Sequence, residues 1–389
     1  MNIPNWPQAD EREAELLRMV LESPQWGGFH PFIEEFERSF AAYQQSSYGI
    51  SAFNGTVTLE LALEVLGVGA GDEIIVPAIS FVSTATAVSR VDALPVFVDI
   101  EPHSFNIDPA RVRQAITPKT KAVIGVHFGG ALCEVGELGE ICREYGLAFL
   151  EDAAHAHGAE WDGRRAGTFG VSGSFSFQNG KVLSCGEGGM LVSSDAEFAE
   201  RAHSIANCGR IAGRSFYEHH RIGTNFRISA FQAAVLLAQF ERLPDQIARR
   251  TANAELLKCL LDDVREISWQ KQPAAMTQNP HYLLAGRIRD SRSRDEFCRA
   301  LSEAGVPCTP FYPHTLYENP AYREAACRVM PCPVAKDCIR DAFWLPHRVL
   351  LADEETIRQV ATVIRCAAKG NQRFAGSVPD ASPVAEPIR

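Results

Sequence analysis

The sequence lacks several things that would each settle its class. No apolar run approaches the length of a membrane span, so no membrane helix is expected. The opening Met1-Asn2-Ile3-Pro4-Asn5-Trp6-Pro7 carries neither a basic stretch nor an apolar core, so no secretory signal is read and a cytoplasmic location is expected. The 11 cysteines contain no Cys-x-x-Cys pair, which argues against a disulfide framework. Cys327, Cys332 and Cys338 come nearest to a metal cluster but lack paired spacing, so no metal site is expected. An excess of positive charge is also missing. With Lys+Arg 38 against Asp+Glu 48, a formal net charge of -10 and a pI near 5.6, the chain has no basic footprint for nucleic acid or an anionic membrane.

What is present points to small-molecule chemistry on a large core. The 389 residues are 46% hydrophobic, enough for two or three domain-sized units. From Ser51 to Asp195, short apolar runs alternate with helix-like stretches, the pattern of an α/β layer with a largely parallel sheet. Glu73–Pro77, Pro95–Val98, Ala122–Val126 and Leu147–Leu150 are continuously apolar and read as strands buried on both faces, and Met190–Val192 reads as a returning strand. Asp108–Ala115 and Val135–Tyr145 read as amphipathic helices. A helix is expected over Ser229–Phe240, followed by a second helical pattern through Leu256 and Leu257. Then comes a smaller α+β unit with Tyr282–Ile288, Arg294–Ala304 and Glu354–Ala368. The expected division is a large domain over 1–245, a small one over 246–369, and a disordered tail over 370–389, rich in Pro, Ala and Ser.

The stretch Phe175–Met190 sets one lysine, Lys181, among small, polar and glycine residues. An amine in a dense, partly desolvated pocket can act as a nucleophile, while a turn lysine stays hydrated; the segment alone fits either. In an open parallel sheet, ligands sit beyond the carboxyl ends of the strands, so residues just after each apolar run matter most. Glu151-Asp152-Ala-Ala-His155-Ala-His157 places a carboxylate at such an end, then two small residues, then imidazoles; Asp152 could equally cap a helix. Ser80-Phe81 places an aromatic at the mouth of the sheet, where a core role is also open. Asn54-Gly55-Thr56 opens a helix whose free N–H groups and positive dipole end suit a phosphate, although plain capping explains it too. Ser176 could add a hydroxyl.

Together these supply a lysine for an aldehyde, a carboxylate for a ring nitrogen, Phe81 and His155 for a flat ring, and a phosphate cup. Those are the requirements of pyridoxal 5'-phosphate. Elsewhere, Cys208–Arg227 gathers Arg210, Arg214, Arg221, Arg227, His219 and His220 in an acidic protein, either as a solvated loop or as a lid facing an anion. His314 and His347, each following a proline, are similar candidates from the small domain.

These motifs, together with Gly-Glu-Gly-Gly at 186–189 and Gly223-Thr-Asn-Phe-Arg-Ile-Ser-Ala-Phe-Gln232, resemble the DegT/StrS family of sugar aminotransferases from Trp6 to about residue 368. Phe177-Gln-Asn-Gly-Lys181 and Phe343-Trp-Leu-Pro-His-Arg348 are most similar to its cyclitol aminotransferase and 3-amino-5-hydroxybenzoate synthase subgroup. The resemblance implies a fold-type I enzyme using pyridoxal phosphate, with a mostly parallel central sheet flanked by helices, working as a homodimer with shared active sites. It implies Lys181 as the Schiff-base lysine, Asp152 at the ring nitrogen, and His155 and Phe81 on the ring. Gly55, Thr56 and Ser176 fall at the phosphate, with Asn225 reaching the partner subunit's phosphate. Arg227, His314 and His347 are candidates for substrate. The activity implied is ping-pong transfer of an amino group from glutamate or glutamine to a keto group of a sugar nucleotide or cyclitol. Two alternatives stay open: an aromatising dehydratase of the benzoate-synthase kind, and a regulator that binds cofactor or sugar nucleotide without turnover.

Overall fold

The computed structural model describes residues 1–289 and 293–370. Numbered in chain order, its large sheet comprises β1 (Tyr48–Ala52), β2 (Glu73–Pro77), β3 (Leu94–Val98), β4 (Thr120–Val126), β5 (Ala148–Asp152), β8 (Ser172–Ser176), β9 (Gly189–Ser193) and β14 (Arg328–Val329). Their order is β1-β9-β8-β5-β4-β2-β3-β14. Every pairing from β8 to β14 is parallel, and β9 alone runs antiparallel, to β1 and β8. The expected strands therefore form within a residue or two of their limits, because continuous apolar runs suit strands covered on both faces. β2, for instance, is buried at all five positions.

The covering helices are α1 (Glu11–Glu22), α2 (Pro31–Tyr43), α3 (Gly55–Val65), α4 (Ser83–Arg90), α5 (Pro109–Ala115), α6 (Val135–Tyr145), α7 (Ala196–Ala206) and α8 (Ala230–Leu260). On one face, α2 drives Phe36 and Phe40, both fully buried, against Phe175 and Phe177 at the end of β8, with ring centroids 5.1 Å apart for Phe40–Phe175 and 5.3 Å for Phe36–Phe177. Each such ring contributes about 1.5–3 kcal/mol by burial, so the base of the Lys181 loop stands on rigid packing. A small three-stranded sheet joins β6 (Glu160–Trp161), β7 (Arg164–Arg165) and β11 (Met276–Gln278). A four-stranded antiparallel sheet holds β10 (Ile267–Trp269), β12 (Leu283–Ile288), β13 (Thr309–Pro310) and β15 (Ala342–Pro346), in the order β10-β12-β15-β13.

One expectation is corrected. The two helical patterns expected on either side of residue 245 form a single helix, α8, of 31 residues with Pro244 inside it. An interior proline costs about 3 kcal/mol. The neighbouring Leu243 and Ile247 are buried at 0% and 2% exposure, and the packing of that face carries the helix through. The boundary expected at 245 thus falls within a continuous helix. The tail expected over 370–389 lies outside the described residues, except for Gly370, which closes the helix Glu354–Lys369 in a left-handed conformation.

Candidate active site

Beyond the carboxyl ends of β2, β4, β5 and β8 lies a cavity of about 410 Å³. Of the residues singled out from the sequence, it is lined by Gly55, Thr56, Phe81, Asp152, His155, Ser176 and Lys181. The lysine rides a tight hairpin between β8 and β9. Phe177 N–H donates to Gly188 O and Asn179 N–H to Gly186 O, both at 2.8 Å, and Lys181 N–H donates to Gln178 O at 2.8 Å. From outside, Trp6 Nε1–H donates to Lys181 O at 3.0 Å, and His347 Nε2 meets Gly180 O at 3.1 Å. The Lys181 Nζ lies 4.7 Å from the centre of the Tyr282 ring, a cation–π contact that gives the amine a fixed station in the cavity.

Asp152 ends β5 and is 7% exposed. It caps no helix: the chain turns after it, with Ala154 N–H donating to Oδ1 at 3.3 Å. Its Oδ2 accepts from Thr84 Oγ1 at 2.7 Å. The strand's alternation sends the adjacent Glu151 to the other face, where it is fully buried. There it accepts from Gly167, Phe169 and Gly170 N–H at 2.7, 2.6 and 2.8 Å and meets His127 Nε2 at 2.9 Å. Glu151 therefore braces the turn below the site, and Asp152 faces the cavity.

His155 lies against Tyr282, centroids 4.2 Å apart at 31°. Gly129 N–H donates to its Nδ1 at 3.2 Å, so the neutral ring carries its proton on Nε2. Burial, and then the charge of Lys181, hold this imidazole well below its usual pKa. Behind it, His157 meets Ser176 O through Nε2 at 2.9 Å, and burial pushes its pKa down to about 3.

The cup is built where α3 starts. Asn54 caps the helix through Val57 N–H at 3.0 Å, and the first-turn N–H groups of Gly55 and Thr56 have no carbonyl one turn earlier to bond. Thr56 Oγ1 and Ser83 Oγ lie 2.7 Å apart beside Ser176. Glycine is required here at two places. A Cβ on Gly55 would stand 2.8 Å from Ser176 Cβ, and one on Gly189 would stand 2.5 Å from Asn54 C. Phe81 stands over the mouth with its ring 58% exposed. An apolar ring that open at a cavity rim is set to be covered by another flat group.

The remaining candidates lie elsewhere. Asn225 is exposed and bridges to Asn207. Arg227 donates to Asn207 Oδ1 at 2.8 Å, packs over Phe29 and lines a second cavity of about 420 Å³ between α2, β1 and α7. His314 is exposed. His347 is buried and acts on the backbone at Gly180, with burial holding it well below its usual pKa. Sequence reasoning missed Ser83, Gln178, Glu187, Tyr282 and Tyr312 as lining residues. Gln178 and Glu187 stand in motifs already singled out and could have been found. Tyr282 and Tyr312 arrive from the second half of the chain. Arg250 Nε–H donating to Pro280 O at 2.8 Å and Thr251 Oγ1 donating to Asn279 O at 3.2 Å tie α8 to the turn ahead of Tyr282, so α8 brings that ring to the lysine.

The chain is similar to known proteins over nearly its whole length. The model of the DegT/DnrJ/EryC1/StrS aminotransferase family matches residues 7–365. The 3-amino-5-hydroxybenzoate synthase of Amycolatopsis mediterranei is 38% identical, over 93% of this chain and 96% of its own. The L-glutamine:2-deoxy-scyllo-inosose aminotransferase of Streptoalloteichus tenebrarius is 36% identical, over 93% of each. A crystal structure of 3-amino-5-hydroxybenzoic acid synthase superposes with a TM-score of 0.90 at 37% identity, covering 95% of this chain and 99% of that one. Among the described residues, no helix is long and apolar enough to cross a membrane.

Proposed function

The chain belongs to the DegT/DnrJ/EryC1/StrS aminotransferase family, and from that premise we propose that it uses pyridoxal phosphate to move an amino group from glutamine, or glutamate, to the ring ketone of a cyclitol. The observation that carries the reading is the convergence of Lys181, Asp152, His155 and the Gly55–Thr56–Ser176 cup on one cavity.

The residues fit the cofactor. Phe81 offers an open ring face, the start of α3 offers N–H groups and hydroxyls to a phosphate, and Asp152 Oδ1 has only a 3.3 Å backbone partner to share with a ring nitrogen. When bound, the cofactor would supply the electron sink for the carbanion left when a proton leaves the donor's α-carbon. Lys181 is the residue that would hold the cofactor through its aldehyde. The Lys181 amine, when free, would take up the proton from the donor's α-carbon, and the nearby Tyr282 ring would keep the resulting ammonium close. Asp152 would hold the proton on the ring nitrogen. His155, neutral with its proton on Nε2, would donate to the ring or its oxygen without adding charge.

Among the described residues, Lys181 is the one Lys or Arg side chain lining the cavity, beside Glu187, Gln178, Tyr282 and Tyr312. A neutral, polyhydroxylated ring ketone suits that lining better than a nucleotide diphosphate or a carboxylated ring. The relatives named as inosose aminotransferases support the same acceptor and glutamine as donor. Asn225 and Arg227 point to a homodimer in which the second copy serves the cofactor phosphate and the donor carboxylate. Exposed Trp26, Phe29 and Phe216 near Arg227 are suited to such a contact.

The test is to add L-glutamine to the cofactor-loaded protein, follow the visible band, and then add scyllo-inosose. Loss of the band with glutamine and its return with an amino-cyclitol product detected by mass are expected. A band unmoved by glutamine or glutamate would leave a binding protein without turnover, and a new ultraviolet chromophore from a carboxylated ring substrate would favour the aromatising reaction.

A further inference from the structure

The proposed chemistry assigns Asp152 a partner on its cavity side but leaves unexplained what sets the direction of its carboxylate. β5 ends at this residue, no helix follows, and its Oδ1 receives only a long backbone bond, 3.3 Å from Ala154 N. A carboxylate so placed would turn about its last torsion, since that torsion is broad and two-fold.

The other oxygen is held more firmly. Thr84, fully buried in the first turn of α4, places Oγ1 2.7 Å from Asp152 Oδ2, and Ser80, 6% exposed, places Oγ 2.7 Å from Thr84 Oγ1. A hydroxyl has one proton and an ionised carboxylate has none to give. Thr84 must therefore donate to Asp152, and Ser80 must donate to Thr84. The chain of hydroxyls has one direction, with both protons pointing toward the carboxylate, and such chains strengthen along their length. None of the three is free to swing, because each is at most 7% exposed.

Resting on the proposed cofactor reading, we infer that Thr84, backed by Ser80, is a positioning residue that clamps Asp152 Oδ2 and leaves Oδ1 as the oxygen presented to the cofactor's ring nitrogen. The role belongs to the hydroxyl and not to the methyl group. A serine at 84 can keep the bond, whereas a valine keeps the shape and loses both the donor to Asp152 and the acceptor for Ser80.

The experiment compares Thr84→Val, Thr84→Ser and Ser80→Ala with the wild type by three readouts: pyridoxal phosphate affinity of the cofactor-free protein by calorimetry, the nitrogen-15 shift of ring-labelled bound cofactor, and the kcat and KM for glutamine. Thr84→Val is expected to bind cofactor within about tenfold of wild type, to move the ring-nitrogen shift toward the unprotonated value, and to lower kcat by about 10–100-fold with KM changed less than about threefold, below the roughly 100–10,000-fold that a proton-transferring group itself contributes. Thr84→Ser should restore the shift and most of kcat, and Ser80→Ala should lie between. An unmoved nitrogen shift with near-normal kcat in Thr84→Val, or a serine variant as impaired as the valine, would overturn the inference. A wild-type protein that binds no pyridoxal phosphate would instead defeat the reading beneath it, so the two failures are distinguishable. Should Thr84→Val fail to fold, the Ser80→Ala variant decides: an intermediate nitrogen shift supports the relay, and a wild-type shift refutes it.

Discussion

Gly55→Ala is the sharpest test of the phosphate cup. The added Cβ would stand 2.8 Å from Ser176 Cβ, 3.2 Å from Ser176 Cα and 3.3 Å from Phe175 O. Two of those atoms are backbone of β8, which is paired on both sides and packed below by Phe40, so the strand cannot yield. The N-terminus of α3 must move instead, by a few tenths of an ångström. Overpacking of this kind costs about 1–3 kcal/mol, and alanine's better helix propensity returns at most about 1 kcal/mol, so a net loss of about 1–2 kcal/mol is expected in urea unfolding. The same displacement moves the first-turn N–H groups and the Thr56 hydroxyl away from Ser176 and Ser83. Cofactor affinity should therefore fall by about tenfold, equivalent to about 1.4 kcal/mol. Gly139→Ala is the control: it lies inside α6 with nothing within 4 Å of its would-be Cβ, and should stabilise by about 0.5–1 kcal/mol without touching cofactor binding. Calorimetric titration with pyridoxal phosphate reads both. An unchanged affinity in Gly55→Ala would refute the claim that the start of α3 forms the cup.

The other predictions concern the lysine, the buried imidazoles and the N-terminal strap. Lys181→Ala should end turnover and abolish covalent labelling of the protein by borohydride in the presence of cofactor, while Asp152→Asn should still bind cofactor and lose about 100-fold or more in kcat; near-normal turnover in Lys181→Ala would sink the proposed function. His157 and His281 titrate near 3 in the native state, and His155 and His347 also lie well below 6.5, all chiefly by burial. Their folded values are depressed, so the stability they allow is complete above pH 6.5 and is lost as pH falls toward 3, when the unfolded chain binds protons that the native state refuses. At pH 5.5 this is about 1.4 kcal/mol for each imidazole. Urea midpoints at pH 7.5 and 5.5 measure it, and His157→Asn should reduce the difference; equal midpoints would contradict the burial argument. Trp6→Phe keeps a ring against His347 and removes the N–H donated to Lys181 O, a bond worth about 1 kcal/mol. A several-fold drop in kcat with cofactor affinity within threefold is expected, and an unchanged kcat would show that the strap is idle.

The parts that sequence made legible and the parts that it hid differ in a physical way. β2 to β5 were readable because each is apolar at consecutive positions, and only a strand covered on both faces uses residues so. Lys181, Asp152, His155, Phe81 and the Gly55–Ser176 cup were readable because a parallel sheet sends the ends of its strands to one edge, so local motifs far apart in the chain share a cavity. Tyr282 and Tyr312 were hidden for the opposite reason. A tyrosine beside an apolar run has no local signature, and its place at Lys181 depends on α8 holding the 279–280 turn through Arg250 and Thr251. The joining of two helical patterns into α8 was hidden as well, since Pro244 is a local stop signal and only the burial of Leu243 and Ile247 overrules it. Thr84 stood three residues after Phe81, yet in sequence a threonine opening a helix is only a threonine. Its meaning comes from the 2.7 Å to a carboxylate 68 positions later. Asn225 and Arg227 do not line the cavity of their own chain, and in the proposed homodimer their place would be read only from the second copy. If the proposed homodimer shares its sites, Arg227→Ala should abolish glutamine turnover although Arg227 does not line its own chain's cavity, and mixing it with Lys181→Ala subunits should yield hybrid dimers with one site intact. Activity regained on mixing, with neither parent active, is the outcome expected; its absence would place Arg227 outside the shared site.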